Sequence, residues 1–178
     1  MSLPRGRSRV IQRMNEIAAL FHQLTLGVYV VGVANAGQRD GFTAAWVMQV
    51  SFDPLLLALS INPANASYPL LHAGGGFAVS VLREGQLELA QRFGTRSGRD
   101  QDKLAGIRWH SGRKGAPILE DALAYFDCEL SGSMRSGDHE LVLGRVMDGR
   151  ILARDADPLA YAATGDMDGS SALYPVKF

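Results

Sequence analysis

Short runs rich in β-branched and aromatic residues recur along this chain, with little helical sequence between them. They predict strands at residues 26–34, 42–50, 55–62, 77–82, 118–119, 122–133, 141–148 and 150–153. The run at 55–62 is almost continuously apolar, which suits a strand covered on both faces. Pro54 fits its first position, where no ladder N–H is required. Gln38-Arg39-Asp40-Gly41 predicts a turn, because Asp-Gly tolerates positive φ. Helical spacing is clearest at residues 10–24, where Val10, Ile11, Met14, Ile17, Ala18, Leu20 and Phe21 recur three and four apart behind a Ser8 cap. Two shorter helices are expected at 67–73, ended by Gly74-Gly75-Gly76, and at 87–93. The regular strand–helix alternation of a doubly wound parallel sheet is missing. The expectation is a mainly β protein, an antiparallel barrel with a few peripheral helices. At 178 residues, without internal repeat or low-complexity linker, residues 1–178 read as one domain.

The formal net charge is zero, so nothing global favours nucleic acid or an anionic membrane as partner. Arg5, Arg7, Arg9 and Arg13 read as a basic flank of the first helix. No apolar run reaches the roughly 18 residues of a membrane span. Gln12, Arg13, Asn15, Glu16, His22 and Gln23 interrupt the N-terminal apolar stretch, so it does not read as a secretory signal. Cys128 is the single cysteine, which excludes an internal disulfide and fits a reducing cytoplasm. It has no evident basic partner and reads as core packing. The four histidines and one cysteine show no metal-ligand spacing, and no Gly-x-Ser-x-Gly elbow is present.

Three segments carry chemistry. Thr43, Ala44, Ala45 and Trp46, followed by Val50, Ser51 and Phe52, combine small residues, hydroxyls and one large ring. Small residues let a flat ligand approach the backbone, and Trp46 can wall it. The same composition also suits an ordinary half-buried strand. Ser97-Gly98-Arg99-Asp100-Gln101-Asp102-Lys103 runs toward an expected helix start, where free N–H groups, Arg99 and Lys103 can meet a phosphate. A solvated polar loop is the plainer reading. In Gly137-Asp138-His139, His139 projects from a strand rim and can donate to a ligand carbonyl or a developing anion. Surface decoration is the default for such a histidine.

Taken together, these segments resemble the flavin reductase-like family, from about residue 26 to residue 159. Its marks are Asp40 to Trp46, Gln49 to Pro54, the 77–82 strand, Phe93-Gly94, Ser97 to Lys103, and Gly137-Asp138-His139 before Leu141, Gly144 and Val146. The Trp and the Ser-Gly-Arg-Asp-x-Asp-Lys run look closest to the flavoredoxin-like branch. The resemblance implies a homodimer of Greek-key split barrels that bind FMN. It implies Trp46 beside the flavin ring, with Asp40, Thr43, Ala44, Ala45, Val50, Ser51 and Phe52 around its edge. Ser67, Ser97, Arg99 and Lys103 would hold phosphate or ribityl oxygens, and His139 would act at the ring. Departures from the family pattern are Asp40 for a frequent Asn, Leu55 for a second Pro, and Ser80 for a frequent Asn. The implied activity is hydride transfer from NADH or NADPH to FMN, in some cases for a partner monooxygenase. A non-catalytic FMN-binding electron carrier is the alternative.

Overall fold

The computed structural model describes residues 16–95 and 102–177. After helix α1 (Glu16–Phe21) come strands β1 (Tyr29–Asn35), β2 (Gln38–Ala44), β3 (Val47–Phe52) and β4 (Leu55–Ile61). Helix α2 (Tyr68–Gly74), β5 (Gly76–Val81) and helix α3 (Leu87–Thr95) follow. A small β6 (Trp109–Ser111) and β7 (Pro117–Leu119) pair precedes the long hairpin of β8 (Ala124–Ser136) and β9 (His139–Ile151).

The large sheet has the order β2-β1-β5-β8-β9-β4-β3, all antiparallel. Its two edge strands are consecutive in the chain, joined only by Ala45 and Trp46. In a flat sheet six spacings of about 4.8 Å would hold them roughly 29 Å apart. The three Cα steps from Ala44 to Val47 reach at most about 11 Å. The sheet must therefore curl until its ends meet. No ladder joins β2 to β3, so the barrel keeps an open seam. This is the split-barrel class that the strand pattern and the resemblance anticipate.

The curl encloses Val31, Val33, Phe42, Leu57, Leu59, Ile61, Leu71, Phe77, Val79, Cys128 and Val142. Val28 and Val30 face the other way, under Leu82, Ala90, Phe93, Leu104 and Leu119. β1 is thus covered on both sides, which its Val-rich sequence suits. Gly32 is required there. A Cβ would lie 2.1 Å from the Pro117 carbonyl oxygen, so only glycine lets β7 cross β1 at this separation. Burial pushes the Cys128 thiol up to about 12, consistent with packing rather than reactivity.

Several local expectations change. Asp40-Gly41 is not a turn; both residues lie within β2. The reversal is made by Ala36 and Gly37, both at positive φ. The predicted 42–50 strand is broken at Ala45 and Trp46, where the sheet turns its corner. The segment 141–148 and the first two residues of 150–153 belong to one 13-residue strand, β9, which ends at Ile151. No helix begins at Lys103; residues 102–107 form successive turns, with Ala105 N bonded to Asp102 O and Ile107 N to Leu104 O. α1 is described from Glu16, so the expected start near residue 10 lies outside the described residues. Among the described residues, no helix is long and apolar enough to cross a membrane.

Candidate functional site

The open seam of the barrel ends in a cavity of about 280 Å³. Phe42, Thr43, Ala44, Ala45 and Trp46 form one wall, from the end of β2 and the corner. Ser60, Ile61, Asn62 and Asn65 come from the end of β4 and beyond, and His139 from the start of β9. The corner is held by Ser60 N donating to Trp46 O at 3.0 Å. The Trp46 ring, half exposed, lies 5.0 Å from the His139 ring at an angle of 55°. His139 Nδ1 is 2.9 Å from Asp138 Oδ1, so the turn carboxylate orients the imidazole. That contact holds the Asp138 carboxyl below the usual range. The Thr43 hydroxyl donates to Ala90 O at 2.7 Å and docks α3 beside the cavity.

The opposite wall comes from segments without a recognisable motif. Phe21 and His22 at the end of α1, and Tyr161, Asp168, Ser170 and Tyr174 near the C-terminus, also line the cavity. The cavity is therefore lined by aromatic rings, by small residues, and by hydroxyl, amide and imidazole groups. That is the donor set of a slot for a flat, heteroatom-edged ring. Among the described lining residues there is no Lys or Arg, so the slot suits a ring and offers no cationic grip for a phosphate.

Other expected site residues are placed elsewhere. Lys103 Nζ lies 3.0 Å from Asp40 Oδ1, and both side chains are more than nine-tenths buried. The Ser67 hydroxyl donates to Asp40 Oδ2 at 2.7 Å and is fully buried. Asp40, Ser67 and Lys103 thus come together, but with one another and outside the cavity lining. Ser67 sits at the N-cap position of α2, but its side chain makes no cap bond because Asp40 takes the hydroxyl. Val50, Ser51 and Phe52 do not line the cavity either; they lie on β3, where Met48, Val50 and Phe52 are exposed. Ser97 and Arg99 lie outside the described residues.

One cluster adjoins the site. Glu140 follows His139 and points to the other face of β9, where Tyr68 Oη donates to its Oε2 at 2.5 Å and His72 Nε2 lies 3.0 Å from its Oε1. Hydrogen bonds from Ser133, then Tyr68, hold the Glu140 carboxyl below its ordinary value, helped by His72 and Arg135. A carboxylate depressed in the folded state adds stability above its unfolded value. That contribution is lost as pH falls through the folded value. Glu140→Gln should therefore flatten the acid limb of stability below about pH 4.3, measured by urea unfolding across that limb. An unchanged acid limb would show that the cluster contributes nothing there.

The flavin reductase like domain matches residues 21–170. The chain is 38% identical over 143 residues to the high molecular weight rubredoxin of Moorella thermoacetica, covering 79% of this chain and 62% of that protein. It is 31% identical over 142 residues to a flavin reductase of Pseudomonas putida, covering 76% of this chain and 82% of that one. The NADH:FAD oxidoreductase of Streptomyces globisporus superposes with a TM-score of 0.76 at 27% identity, over 92% of this chain and 95% of that one. The chain thus spans less than two thirds of the Moorella relative but most of the other two. With a matching domain over most of its length and a split barrel bearing a ring slot at its seam, this chain belongs to the flavin reductase-like family.

Proposed function

We propose that the chain binds FMN and catalyses its reduction by NADH or NADPH. The observation that carries this reading is the slot itself, lined by Trp46 with the tilted His139 ring beside it, by further aromatic residues and by small residues. The named activities of the Pseudomonas and Streptomyces relatives support an oxidoreductase reading. When bound, the flavin supplies the chemistry, accepting a hydride from the nicotinamide. The protein's part is to bind, orient and exclude water. Trp46 walls the ring. Thr43, Ala44 and Ala45 let it approach the backbone. His139, steadied by Asp138, lines the cavity and can donate a hydrogen bond to negative charge on the ring. Ser97 and Arg99 are proposed phosphate contacts. Ser67 and Lys103, engaged by Asp40, would act by fixing the frame behind them.

A homodimer belongs to the same reading. Exposed Met48, Val50 and Phe52 on edge strand β3, with Leu55 and Met134 also exposed, fit a face covered by a second copy. Val50, Ser51 and Phe52 would then meet ligand only in the assembled dimer. A partner monooxygenase or other acceptor would take the electrons onward, in the cytoplasm.

The test is an absorbance spectrum of the protein loaded in turn with FMN and FAD, followed by anaerobic NADH and NADPH. Tighter FMN binding and rapid bleaching are expected. Stoichiometric flavin that does not bleach would favour the non-catalytic electron carrier. Preference for FAD would correct the cofactor, and binding of neither flavin would overturn the reading.

A further inference from the structure

The two walls of the cavity are built differently. The sheet wall belongs to ladders: Phe42, Thr43 and Ala44 pair with Val31, Val30 and Tyr29, and Ile61 pairs with Glu140. The far wall belongs to no ladder of the large sheet among the described residues. It begins where Tyr161 N donates to Leu26 O at 2.8 Å, beside a single bridge between Gly27 and Ala160. Beyond that point the segment consists of two single-turn 3-10 helices, Tyr161–Thr164 and Ser170–Leu173. Gly165 and Gly169, both at positive φ, lie between them. Glycine is the residue whose backbone can change conformation there at least cost.

The segment is braced within itself. Tyr161 Oη lies 3.2 Å from Asp168 Oδ2 and 3.0 Å from Ser170 Oγ, and Asp166 accepts from Ser171 N and Oγ. It meets α1 through two ring stacks. His22 stacks on Tyr161 at 5.6 Å and 16°, and Phe21 on Tyr174 at 5.3 Å and 29°. Its outer side chains are open to solvent, Leu173 at 85% and Val176 at 90%. Tyr161 and Met167 also pack against the cluster around Val28 and Phe93, and Thr164 is buried, so the internally braced piece would pivot on that packing as well as on the ring stacks.

The size of the cavity favours such movement. At about 280 Å³ it lies just below the roughly 300–1,000 Å³ range of ligand pockets. Transfer between two ring ligands needs both within about 3–3.5 Å of each other. Of the two walls, the one outside the ladders is the one free to make room, because the sheet wall is fixed by its hydrogen bonds.

We propose that residues 161–174 form a hinged cover, clasped to Phe21 and His22, that closes over one bound ring and parts to admit a second, planar hydride donor. The proposal rests on the flavin reading above and adds to it the element that gates the second ligand. The cover carries the carboxylate of Asp168 into the lining, with no Lys or Arg among the described lining residues. The second ring is therefore neutral or cationic, as a nicotinamide ring is.

The test begins with the intact protein and an FMN titration. Hydrogen exchange is then followed for the amides of residues 161–174 in the free protein, with FMN, and with FMN plus unreactive NAD+. Exchange should slow with FMN and quicken again when NAD+ is added. In Tyr161→Ala/Tyr174→Ala, FMN release measured by stopped-flow fluorescence should quicken about tenfold, the scale of two lost ring stacks. The KM for NADH should fall while kcat changes less. A merely structural role would lower thermal stability without moving the release rate or the KM. FMN binding with unchanged exchange in all three states would overturn the cover while leaving the flavin reading intact. Failure to bind FMN at all would remove both.

Discussion

Lys103→Ala should destabilise the protein by about 3–5 kcal/mol in the complete absence of flavin, because it strands the buried Asp40 carboxylate. The cluster joins three parts of the chain: Asp40 lies in β2, Lys103 in the turns after α3, and Ser67 at the start of α2. Removing the ammonium leaves the buried Asp40 carboxylate with the Ser67 hydroxyl and no compensating charge among the described residues. Urea unfolding of flavin-free protein reads this directly. The competing role for Lys103, a contact to the cofactor's phosphate, predicts near-normal stability and a flavin affinity weaker by about 1.5–3 kcal/mol. Asp40→Asn/Lys103→Met separates the two further. It removes both charges and keeps an acceptor for Ser67, so it should recover much of the stability. No recovery would mean that the charges are not the cause.

The second large effect belongs to Trp46→Ala. Loss of the ring wall should weaken flavin binding by about 2 kcal/mol, some thirtyfold in Kd, the sum of a lost ring contact and part of its burial. Stability should change little, since Trp46 is half exposed and its backbone contact through Ser60 remains. The other tryptophan, Trp109, lies in β6 with the Arg39 guanidinium 4.9 Å from its ring centre. In Trp109→Phe, the remaining indole fluorescence reports Trp46 alone and should be quenched when flavin binds. Unaltered flavin affinity in Trp46→Ala, or no quenching in Trp109→Phe, would remove Trp46 from the site.

Much of the fold is legible where burial follows local pattern. β1, β4 and β5 are Val- and Leu-rich runs that read as strands because packing on their faces agrees with their own propensity. The failures occur where a distant partner decides. Asp40-Gly41 has turn chemistry, yet Asp40 is held in a strand by Lys103 and Ser67, both far along the chain. Ala45-Trp46 has no breaker, yet the strand ends there because the first and last strands of the sheet meet at that corner. The site divides in the same way. Trp46 and His139 stand out from their local sequence, and the fold brings their rings within 5.0 Å. Tyr161, Asp168, Ser170 and Tyr174 sit in polar, Gly-containing sequence that reads as loop. Their pairing with Phe21 and His22 leaves no local periodicity to find.

The two-residue corner between β2 and β3 acts as the barrel's girth setting. Lengthening a surface loop usually costs little, about 0.6 kcal/mol for each doubling. Here extra residues would let the sheet uncurl and draw the two sides of the seam apart. The indole that walls the ring is itself one of those two residues. Ligand width and barrel circumference are thus set by the same stretch of chain, and neither can be altered in this lineage of folds without retuning the other.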